Sequence, residues 1–561
     1  MFALFLGAYG RRAIKAGRRS PSARTGLVMR LVASFAVRED WHVNRSDQES
    51  GLRLAELVAS LSLATDLGLG LPMEHALRAC LVAMRLAERA GLDESRRVVV
   101  YYVGLLASVG CHANAHEQAA LFGDDIAFKA DVYIADAGPE MRDVIIRHIA
   151  VGAAPHERAR LAASFLTSDV PVESRRLHCQ VAGQLALRLG LGREVHDALQ
   201  HVYESWDGRG PLGLSGEQVA LATRLVQLAL VAEAFRRVGG FESAVGVARS
   251  RRGTKFDPAM VDLLCAEAPE ILAGLDAVTS WRQVVDAEPA LRPTLSKQEL
   301  DRALYAIADF ADLKSPYTLG HSRGVAELAA EAARRSGLSD AEVARLRQAG
   351  LIHDVGRLGV SNAIWDKPGP LSGAELERVR MHPYLTHRIF SASPLASLAE
   401  LAATHHERLD GSGYPRGLAG GALGPAARML AAADVYHAMT EPRPHRPALT
   451  SEEAANELRA EVRSGRLDGE AVDAVRGAAG HTVRRRREWP AGLTAREVEV
   501  LALLARGQTN KQIAQRLVVA PKTVASHVEH IYVKIGCSSR AGAGLFAMEH
   551  GLLQPPATAE K

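Results

Sequence analysis

From about Gly51 onward, apolar residues recur with the three- and four-residue spacing of amphipathic helices. One such stretch carries Leu77, Leu81 and Met84 on a single face. Alternation typical of strands is sparse, and Gly or Pro separates the helical runs. The pattern predicts an all-α protein.

Two parts of this predicted helical sequence resemble each other. The paired segments are residues 73–92 with 319–338, 101–114 with 347–360, and 204–216 with 407–420. The first two pairs share an offset of 246 residues, and the third pair shares an Asp-Gly-x-Gly turn. These constraints favour an internal repeat over chance similarity between Ala- and Leu-rich helices.

The two copies differ in their potential metal ligands. The second copy has His353-Asp354, His405-His406 and Asp434 where the first has Ala107-Ser108, Val202-Tyr203 and Leu230. The simplest interpretation is one scaffold used twice, with a metal site only in the second copy. The first copy is then expected to be a ligand-sensing or dimerising module.

These features divide the chain into six segments. They are a poorly ordered leader (1–50), a first helical domain (51–276), a connector (277–299), a second helical domain (300–480), a basic linker (481–489) and a small C-terminal helical domain (490–555). The last domain has its own pattern of short helices, treated below.

The composition limits the kinds of binding site and the cellular compartment that we expect for this protein. The net charge of +4 over 561 residues means that any nucleic-acid site must be a local patch. Five scattered cysteines without a CxxC pair argue against a disulfide framework or a zinc knuckle. No apolar run reaches the roughly 18 residues of a membrane span, so we expect a cytoplasmic protein without membrane association.

The stretch LIHDVGRLGV at 351–360 places adjacent His353 and Asp354 in an apolar segment. Both side chains are costly to bury without a partner; a metal ion suits both, and a hydrogen-bonded His-Asp pair is the alternative. If the segment is helical, the two point about 100° apart and share a site only between those directions. Arg357 would lie on the same helix face, where a guanidinium suits phosphate.

Further His and Asp residues in the second copy favour the metal. The candidate ligands are His321, His353, Asp354, His382, His405, His406 and Asp434. Such a set fits a dinuclear centre, in which two metals about 3.5–4 Å apart clamp a phosphate. Asp354 would bridge the metals, and Arg357 would neutralise the non-bridging phosphate oxygens.

Residues 300–480 resemble an HD-GYP domain, the metal-dependent phosphodiesterase branch of the HD superfamily that hydrolyses cyclic di-GMP. The matching text is YTLGHS, HDVGRLGV, KPGPLSGAE, HP, HHERLDGSGYP and DVYHAM. The resemblance implies that the seven candidates are the ligands of two divalent transition metals, Fe or Mn. It makes Asp354 and Arg357 catalytic and places Gly413, Tyr414 and Pro415 near the substrate, beside Arg357.

Several positions depart from the family pattern. Arg357 stands where Lys is usual, Thr386 where Gly is usual, His437 where Asp is usual and His445 where Tyr is common. Tyr317 occupies the position of a third-metal Glu, which favours two metals. Every ligand position is retained. A nucleotide sensor without turnover and a metal phosphomonoesterase remain the alternatives, and the first copy resembles a degenerate, inactive HD domain.

The C-terminal domain contains the signals of a helix-turn-helix. Thr494 is a helix cap and Gly507 a stop, Thr509 caps a second short helix, and Pro521 opens a third. Two short helices joined by a tight turn place the second in the DNA major groove.

The third helix has a polar face outside its apolar stripe. The candidate DNA contacts are Lys511, Lys522, Thr523, Ser526, His527, His530 and Lys534. The lysines suit phosphates, and Thr523, Ser526 and His527 suit base edges. The text LTAREVEVL, GQTNKQIA and TVASHVEHIYVKIG resembles the LuxR-type helix-turn-helix, which implies double-stranded DNA as partner and a homodimer. The alternative is a small helical interaction module.

Together these features predict a DNA-binding transcriptional regulator that carries a metal-dependent phosphodiesterase domain acting on cyclic di-GMP or a related phosphodiester.

Overall fold

The computed structural model describes residues 51–135, 138–276, 280–290, 294–482, 489–537, 539–550 and 552. Every regular element in these ranges is a helix, so the all-α prediction is confirmed. The chain forms two compact units, one ending at His481 and one starting at Thr482. The predicted leader at 1–50 lies outside the described residues, as does most of the basic linker.

The first unit begins with the helices of the first copy and the connector. They are α1 Leu54–Gly68, α2 His75–Arg89, α3 Glu94–Leu106, α4 Ala115–Phe122, α5 Asp125–Ile134, α6 Pro139–His148, α7 Pro155–Leu166, α8 Val170–Arg188, α9 Arg193–Gln200, α10 Leu221–Ser250, α11 Pro258–Ala266, α12 Ala268–Ile271 and α13 Ser280–Asp286. The last of these lies in the predicted connector, where the Tyr101 hydroxyl donates to the Val284 carbonyl at 3.0 Å.

The helices of the second copy follow. They are α14 Lys297–Asp312, α15 His321–Arg335, α16 Asp340–Ile352, α17 Asn362–Trp365, α18 Gly373–Arg380, α19 His382–Phe390, α20 Ala396–Ala402, α21 Pro425–Thr440, α22 Ser451–Arg463 and α23 Gly469–Ala478. Both copies contribute to one continuous hydrophobic core that runs from Leu52 to Val475. The division into two domains at 276 and 300 stays a prediction.

Equivalent polar contacts recur in the two copies. Asp66 accepts from the Ala76 amide at 3.2 Å, and Asp312, 246 residues later, accepts from the Ser322 amide at 2.8 Å. Arg224 pairs with Asp257 at 2.6 Å, as Arg428 pairs with Asp468 at 3.1 Å. Buried polar contacts of this kind fix a backbone geometry, so the repeat extends from sequence to structure.

The first copy also contains an insertion between its equivalent elements. Helices α5 to α7 pack around a separate small core that includes Phe122, Phe128, Ile149 and Phe165. The rings of Phe122 and Phe128 stack with centroids 3.8 Å apart. The first copy is roughly forty residues longer here, because the offset between the paired segments falls from 246 to 203, and this extra length forms a helical subdomain that contacts the second copy.

The second unit contains α24 Ala495–Ala505, α25 Asn510–Leu517, α26 Pro521–Ile535 and α27 Arg540–Glu549 around its own core. Thr494 and Thr509 accept hydrogen bonds from the amides of Glu497 and Gln512, as their predicted capping roles require. Gly507 adopts φ of 79° after α24, which confirms the predicted stop.

No single described helix is long and apolar enough to cross a bilayer, and one bent pair, Glu94–His112 with Ala115–Phe122, meets the criteria of length and composition alone.

Candidate metal centre

The His353-Asp354 pair lies at a break between helices. Helix α16 ends at Ile352, His353 is its C-cap, and Asp354 precedes a short 3-10 helix at Val355–Gly359. The expectation of a continuous helix through this pair was wrong. The break lets both side chains point toward one centre, without the separation of about 100° between their directions that a continuous α-helix would impose.

A close packing contact holds this break. A Cβ on Gly356 would lie 2.0 Å from the His382 carbonyl oxygen, so only glycine fits there. Thr386, on α19, donates to the His353 carbonyl at 2.8 Å and accepts from the Gly356 amide at 2.9 Å. Thr386, which departs from the family pattern, therefore ties α19 to the His-Asp segment.

The seven predicted ligands converge in two groups that meet at Asp354. Its Oδ1 lies 3.3 Å from His382 Nε2 and 3.7 Å from His405 Nε2. Its Oδ2 lies 3.6 Å from His353 Nε2 and 3.8 Å from His321 Nε2. The carboxylate thus faces a different pair of imidazoles with each oxygen, the arrangement expected of a bridging ligand.

Asp434 completes the cluster from α21. Its Oδ1 lies 3.3 Å from His321 Nε2, and its Oδ2 lies 3.8 Å from His406 Nδ1. Within the described residues, potential metal-binding triads include His382 with His405 and His406, and His321 with His353 and Asp354. Both triads are drawn from the predicted set.

Backbone carbonyls orient three of the imidazoles. The Nδ1 atoms of His353, His382 and His405 lie 2.6 to 2.7 Å from the carbonyl oxygens of the residues three positions earlier. A carbonyl only accepts, so each Nδ1 carries the proton and each Nε2 directs a lone pair into the centre. This is the tautomer that a metal ligand needs.

Electrostatics favour a cation between these groups. Burial lowers the pKa of His382 to about 4 and that of His405 to about 3, so both are neutral at pH 7. Their Nε2 atoms nevertheless lie 3.0 Å apart, and His353 Nε2 is buried without a hydrogen-bond partner. Converging lone pairs beside two carboxylates repel one another until a cation lies among them. The donor set therefore fits a divalent transition metal centre.

Two further residues lie next to His321: Glu441, which was not singled out in the sequence, and His437, which was noted there only as a departure from the family pattern. Glu441 Oε2 accepts from His321 Nδ1 at 2.8 Å and from Arg443 Nη2 at 2.9 Å. Glu441 therefore fixes the tautomer of His321, as carbonyls do for the other ligands. His437 lies 3.3 Å from the same carboxylate. Their positions three and seven residues after Asp434, one and two helical turns on, were the available signal.

Arg357 lies at the edge of the cluster, with its side chain 17% exposed. Its Nη1 donates to Asp354 Oδ2 at 3.0 Å, and its guanidinium stacks on the Trp365 ring at 3.8 Å from the centroid. Trp365 also packs edge-on against His382. Trp365 was not singled out in the sequence, because a lone tryptophan carries no ligand signal.

The Gly413-Tyr414-Pro415 loop lies beside His406. The rings of His406 and Tyr414 are 4.7 Å apart, and a Cβ on Gly413 would lie 2.5 Å from the His406 carbonyl oxygen. His353 and His405 are fully buried, whereas His406, Tyr414 and Arg357 are partly exposed. The side of the cluster near this loop and Arg357 is thus the one that solvent reaches.

The equivalent place in the first copy has different chemistry. His75, the counterpart of His321, pairs through Nδ1 with buried Glu233, and its Nε2 lies 2.6 Å from the Tyr133 hydroxyl. Within the described part of this copy, no three His, Cys, Asp or Glu side chains converge as a metal site would require. Protein groups already satisfy both nitrogens of His75.

Comparison with known proteins agrees with this geometry. Residues 306–471 match the HD domain family. Over 410 residues the chain is 33% identical to the 3'3'-cGAMP-specific phosphodiesterase 3 of Vibrio cholerae, covering 72% of this chain and 89% of that protein. The chain belongs to the HD-GYP phosphodiesterase family. An alignment of that length exceeds everything after residue 300, so it also includes part of the first copy.

One further relative matches a shorter stretch of the chain, and one solved structure matches most of it. A cyclic di-GMP phosphodiesterase of Thermotoga maritima is 36% identical over 176 residues, which are 30% of this chain and 47% of that protein. A crystal structure of a cyclic GMP-AMP-specific phosphodiesterase of V. cholerae covers 77% of this chain and 98% of its own, with a TM-score of 0.54 and 29% identity. HD phosphohydrolases are metal-dependent, consistent with the cluster.

The C-terminal unit of this HD-GYP protein is a LuxR-type helix-turn-helix, since residues 491–547 match the luxR family of bacterial regulatory proteins. On α25 and α26, Lys511, Lys522, Thr523, Ser526 and His530 are exposed, and His527 is half-buried. These side chains form the predicted polar face.

Lys534 differs from the other predicted DNA contacts. Its Nζ lies 2.7 Å from the Glu497 carboxylate and donates to the Gly492 carbonyl at 3.0 Å. Glu497 is buried, so the pair holds the start of α24 against α26. In this conformation the Lys534 ammonium is occupied within the domain.

Proposed function

We propose that the second copy hydrolyses a phosphodiester bond of a guanine-containing cyclic dinucleotide, with the seven converging side chains holding two Fe or Mn ions. The observation that carries the proposal is Asp354, whose two oxygens face separate groups of imidazoles. A dinuclear site of this kind suits phosphodiester hydrolysis. The whole-chain relationship to an HD-type phosphodiesterase supports the same chemistry.

The relatives narrow the substrate to two candidates. The V. cholerae relative whose 410-residue match extends into the first copy is named for 3'3'-cGAMP, and the T. maritima relative, whose match spans 176 residues, is named for cyclic di-GMP. We propose that 3'3'-cGAMP and cyclic di-GMP are the substrates to compare. Because the first copy is part of the longer match, 3'3'-cGAMP is the first to test.

The side chains of the site have distinct roles in this chemistry. The metal ions would supply Lewis acidity and a water of lowered pKa. Arg357 would bind the non-bridging phosphate oxygens, since only one of its five N–H donors is engaged with Asp354. Tyr414 presents a partly exposed ring on the solvent side, where a base can stack.

For the C-terminal unit we propose binding of double-stranded DNA as a dimer, with α26 in the major groove. The exposed side chains of Lys522, Thr523 and Ser526 lie in the first turn and a half of that helix, where a recognition helix meets base edges. The full chain would then couple cyclic-dinucleotide breakdown to transcription. Dimerisation rests on the LuxR-type resemblance.

The test is one turnover assay on the full chain. Protein purified without oxygen and loaded with Fe or Mn is incubated separately with 3'3'-cGAMP and cyclic di-GMP, and the products are separated. We expect a linear dinucleotide from at least one substrate and none from Asp354→Ala. Bound but intact nucleotide would support the sensor alternative. Release of inorganic phosphate from a nucleoside monophosphate would support a phosphomonoesterase.

A further inference from the structure

The insertion of the first copy contacts the segment that follows the metal-binding His-Asp pair. Asp125, at the start of α5, is fully buried and accepts from Ser361 Oγ and from the Asn362 amide, both at 2.7 Å. Ser361 is the N-cap of α17 and Asn362 its first residue. A carboxylate of the first copy therefore binds the N-terminus of a helix in the second.

The other end of α17 is held in a similar way. Asp366, its C-cap residue, accepts from His116 of α4 at 2.8 Å and from Ser315 Oγ at 2.6 Å. A four-residue helix has little stability of its own, so its position depends on these contacts. Two side chains of the first copy thus clamp α17 at both ends.

The clamp carries a buried charge network. Asp125 also pairs with Lys129 at 2.8 Å, and Lys314 donates to the Leu358 carbonyl at 2.7 Å beside it. Burial opposes ionisation of Asp125, but Lys129 and Lys314 lower its pKa to about 2. Asp125 is therefore an anion at neutral pH. Leu358 belongs to the same 3-10 helix as Arg357. The network therefore contacts both the backbone segment that carries Arg357 and the helix that carries Trp365, on which Arg357 stacks.

Helix α17 contacts Arg357 through Trp365, which is the last residue of the helix. The planar guanidinium of Arg357 stacks on the Trp365 ring at 3.8 Å from the centroid. A lysine ammonium has no plane to stack, so this chain's arginine depends on the ring in a way that lysine would not. Moving Trp365 would remove this stacking contact and leave the orientation of the guanidinium to its hydrogen bond with Asp354.

We propose that Asp125 is a positioning residue, through which the first copy holds α17, Trp365 and hence Arg357 at the metal centre of the second copy. The inference rests on the proposed function, because Arg357 matters to turnover only if the substrate is an anion. Under this proposal the first copy, which lacks the metal-ligand residues, supports the metal centre of the second copy.

The test compares two matched variants of the full chain, Asp125→Asn and Asp257→Asn. Asp257 is also buried, and it also pairs with a cation and a helix N-terminus, but its partners Arg224 and Ala259 both lie in the first copy. We expect Asp125→Asn to lower kcat/KM at least ~10-fold with unchanged metal content, and Asp257→Asn to change it less than about twofold.

A double-mutant cycle separates positioning from general destabilisation. If Asp125 acts through Arg357, Asp125→Asn should have no further effect in an Arg357→Ala background. Hydrogen exchange gives a readout that does not depend on turnover. Amides of residues 358–366 should exchange faster in Asp125→Asn and not in Asp257→Asn.

The outcomes distinguish the two proposals. An equal loss from Asp125→Asn in both backgrounds, or unchanged exchange at 358–366, would overturn the positioning role. Absence of turnover by the metal-loaded wild type on both dinucleotides would count against the proposed function alone. In that case, faster exchange confined to Asp125→Asn would still support the clamp.

Discussion

Replacing Asp354 with Asn tests the metal centre most directly, because it removes one negative charge and changes almost no volume. Asp354 presents Oδ1 to His382 and His405, and Oδ2 to His353 and His321. An asparagine side chain keeps only one oxygen. Its NH2 group must face one of the two pairs, and an amide N–H is no metal ligand.

The size of the effect follows from that geometry. One of the two metal positions loses the carboxylate oxygen of the bridge, although Asp434 remains, so metal content should fall by about one ion per chain under the two-metal proposal. Loss of one ion forfeits several kcal/mol of transition-state stabilisation, and ~4 kcal/mol corresponds to about a thousandfold in rate. We therefore expect turnover to fall by about 10³-fold.

The assay is metal analysis of protein purified without oxygen, together with product separation after incubation with 3'3'-cGAMP and cyclic di-GMP. Asp257→Asn is the control, since it makes the same change at a buried carboxylate whose hydrogen-bond partners lie away from the cluster. Full metal content in Asp354→Asn, with turnover within tenfold of wild type, would refute the bridging role.

Three further predictions concern other residues. Glu441→Gln weakens the orientation of His321 and should reduce metal affinity ~10- to ~100-fold in a chelator competition; unchanged affinity would contradict it. Lys522→Ala should weaken DNA binding and lower the slope of log K against log salt by about 1, whereas Lys534→Ala should mainly destabilise the domain, because it leaves Glu497 buried without its cation. Burial raises the pKa of Glu497, but hydrogen bonds from Lys534 and Thr494 bring it below the usual 4.5, so this stabilisation is complete above pH 4.5 and is lost as pH falls further. Hydrogen exchange of the C-terminal unit in the full chain, corrected for intrinsic rates, should show that loss, and Glu497→Gln should abolish it.

Much of the metal centre could be predicted because its residue types are unusual in apolar helical segments. His and Asp at buried positions need partners, and seven of them in one copy pointed to a shared partner. The structure brings all seven together. The helix caps of the C-terminal unit were equally predictable, because capping depends on residues only three positions apart.

The expectation that failed depended on a contact between distant parts of the chain. A helix through His353-Asp354 was the conformation considered for this stretch, but the close approach of Gly356 to α19 imposes a break there. No local pattern reports that Thr386 will bind both the His353 carbonyl and the Gly356 amide. Tertiary packing overrode propensity at the position where the chemistry requires it.

The pairing of Lys534 was unpredictable for a related reason. On α26 it lies on the polar face, where a lysine ordinarily meets solvent or phosphate. Its partner Glu497 is 37 residues away and is buried by the fold. A sequence pattern shows the face of a helix on which a charge lies, whereas the folded structure shows which charge it meets.

The first copy shows how the shared scaffold is filled at a place where the metal-ligand residue types are absent. Burial of the His75 ring would be unfavourable without hydrogen-bond partners, but Glu233 and Tyr133 satisfy both ring nitrogens. The site has become a closed polar cluster that needs no ion. Meanwhile the insertion that distinguishes this copy contributes Asp125 to the α17 clamp. A copy that lacks the metal ligands but supplies Asp125 to the clamp fits the proposed role of supporting the second copy.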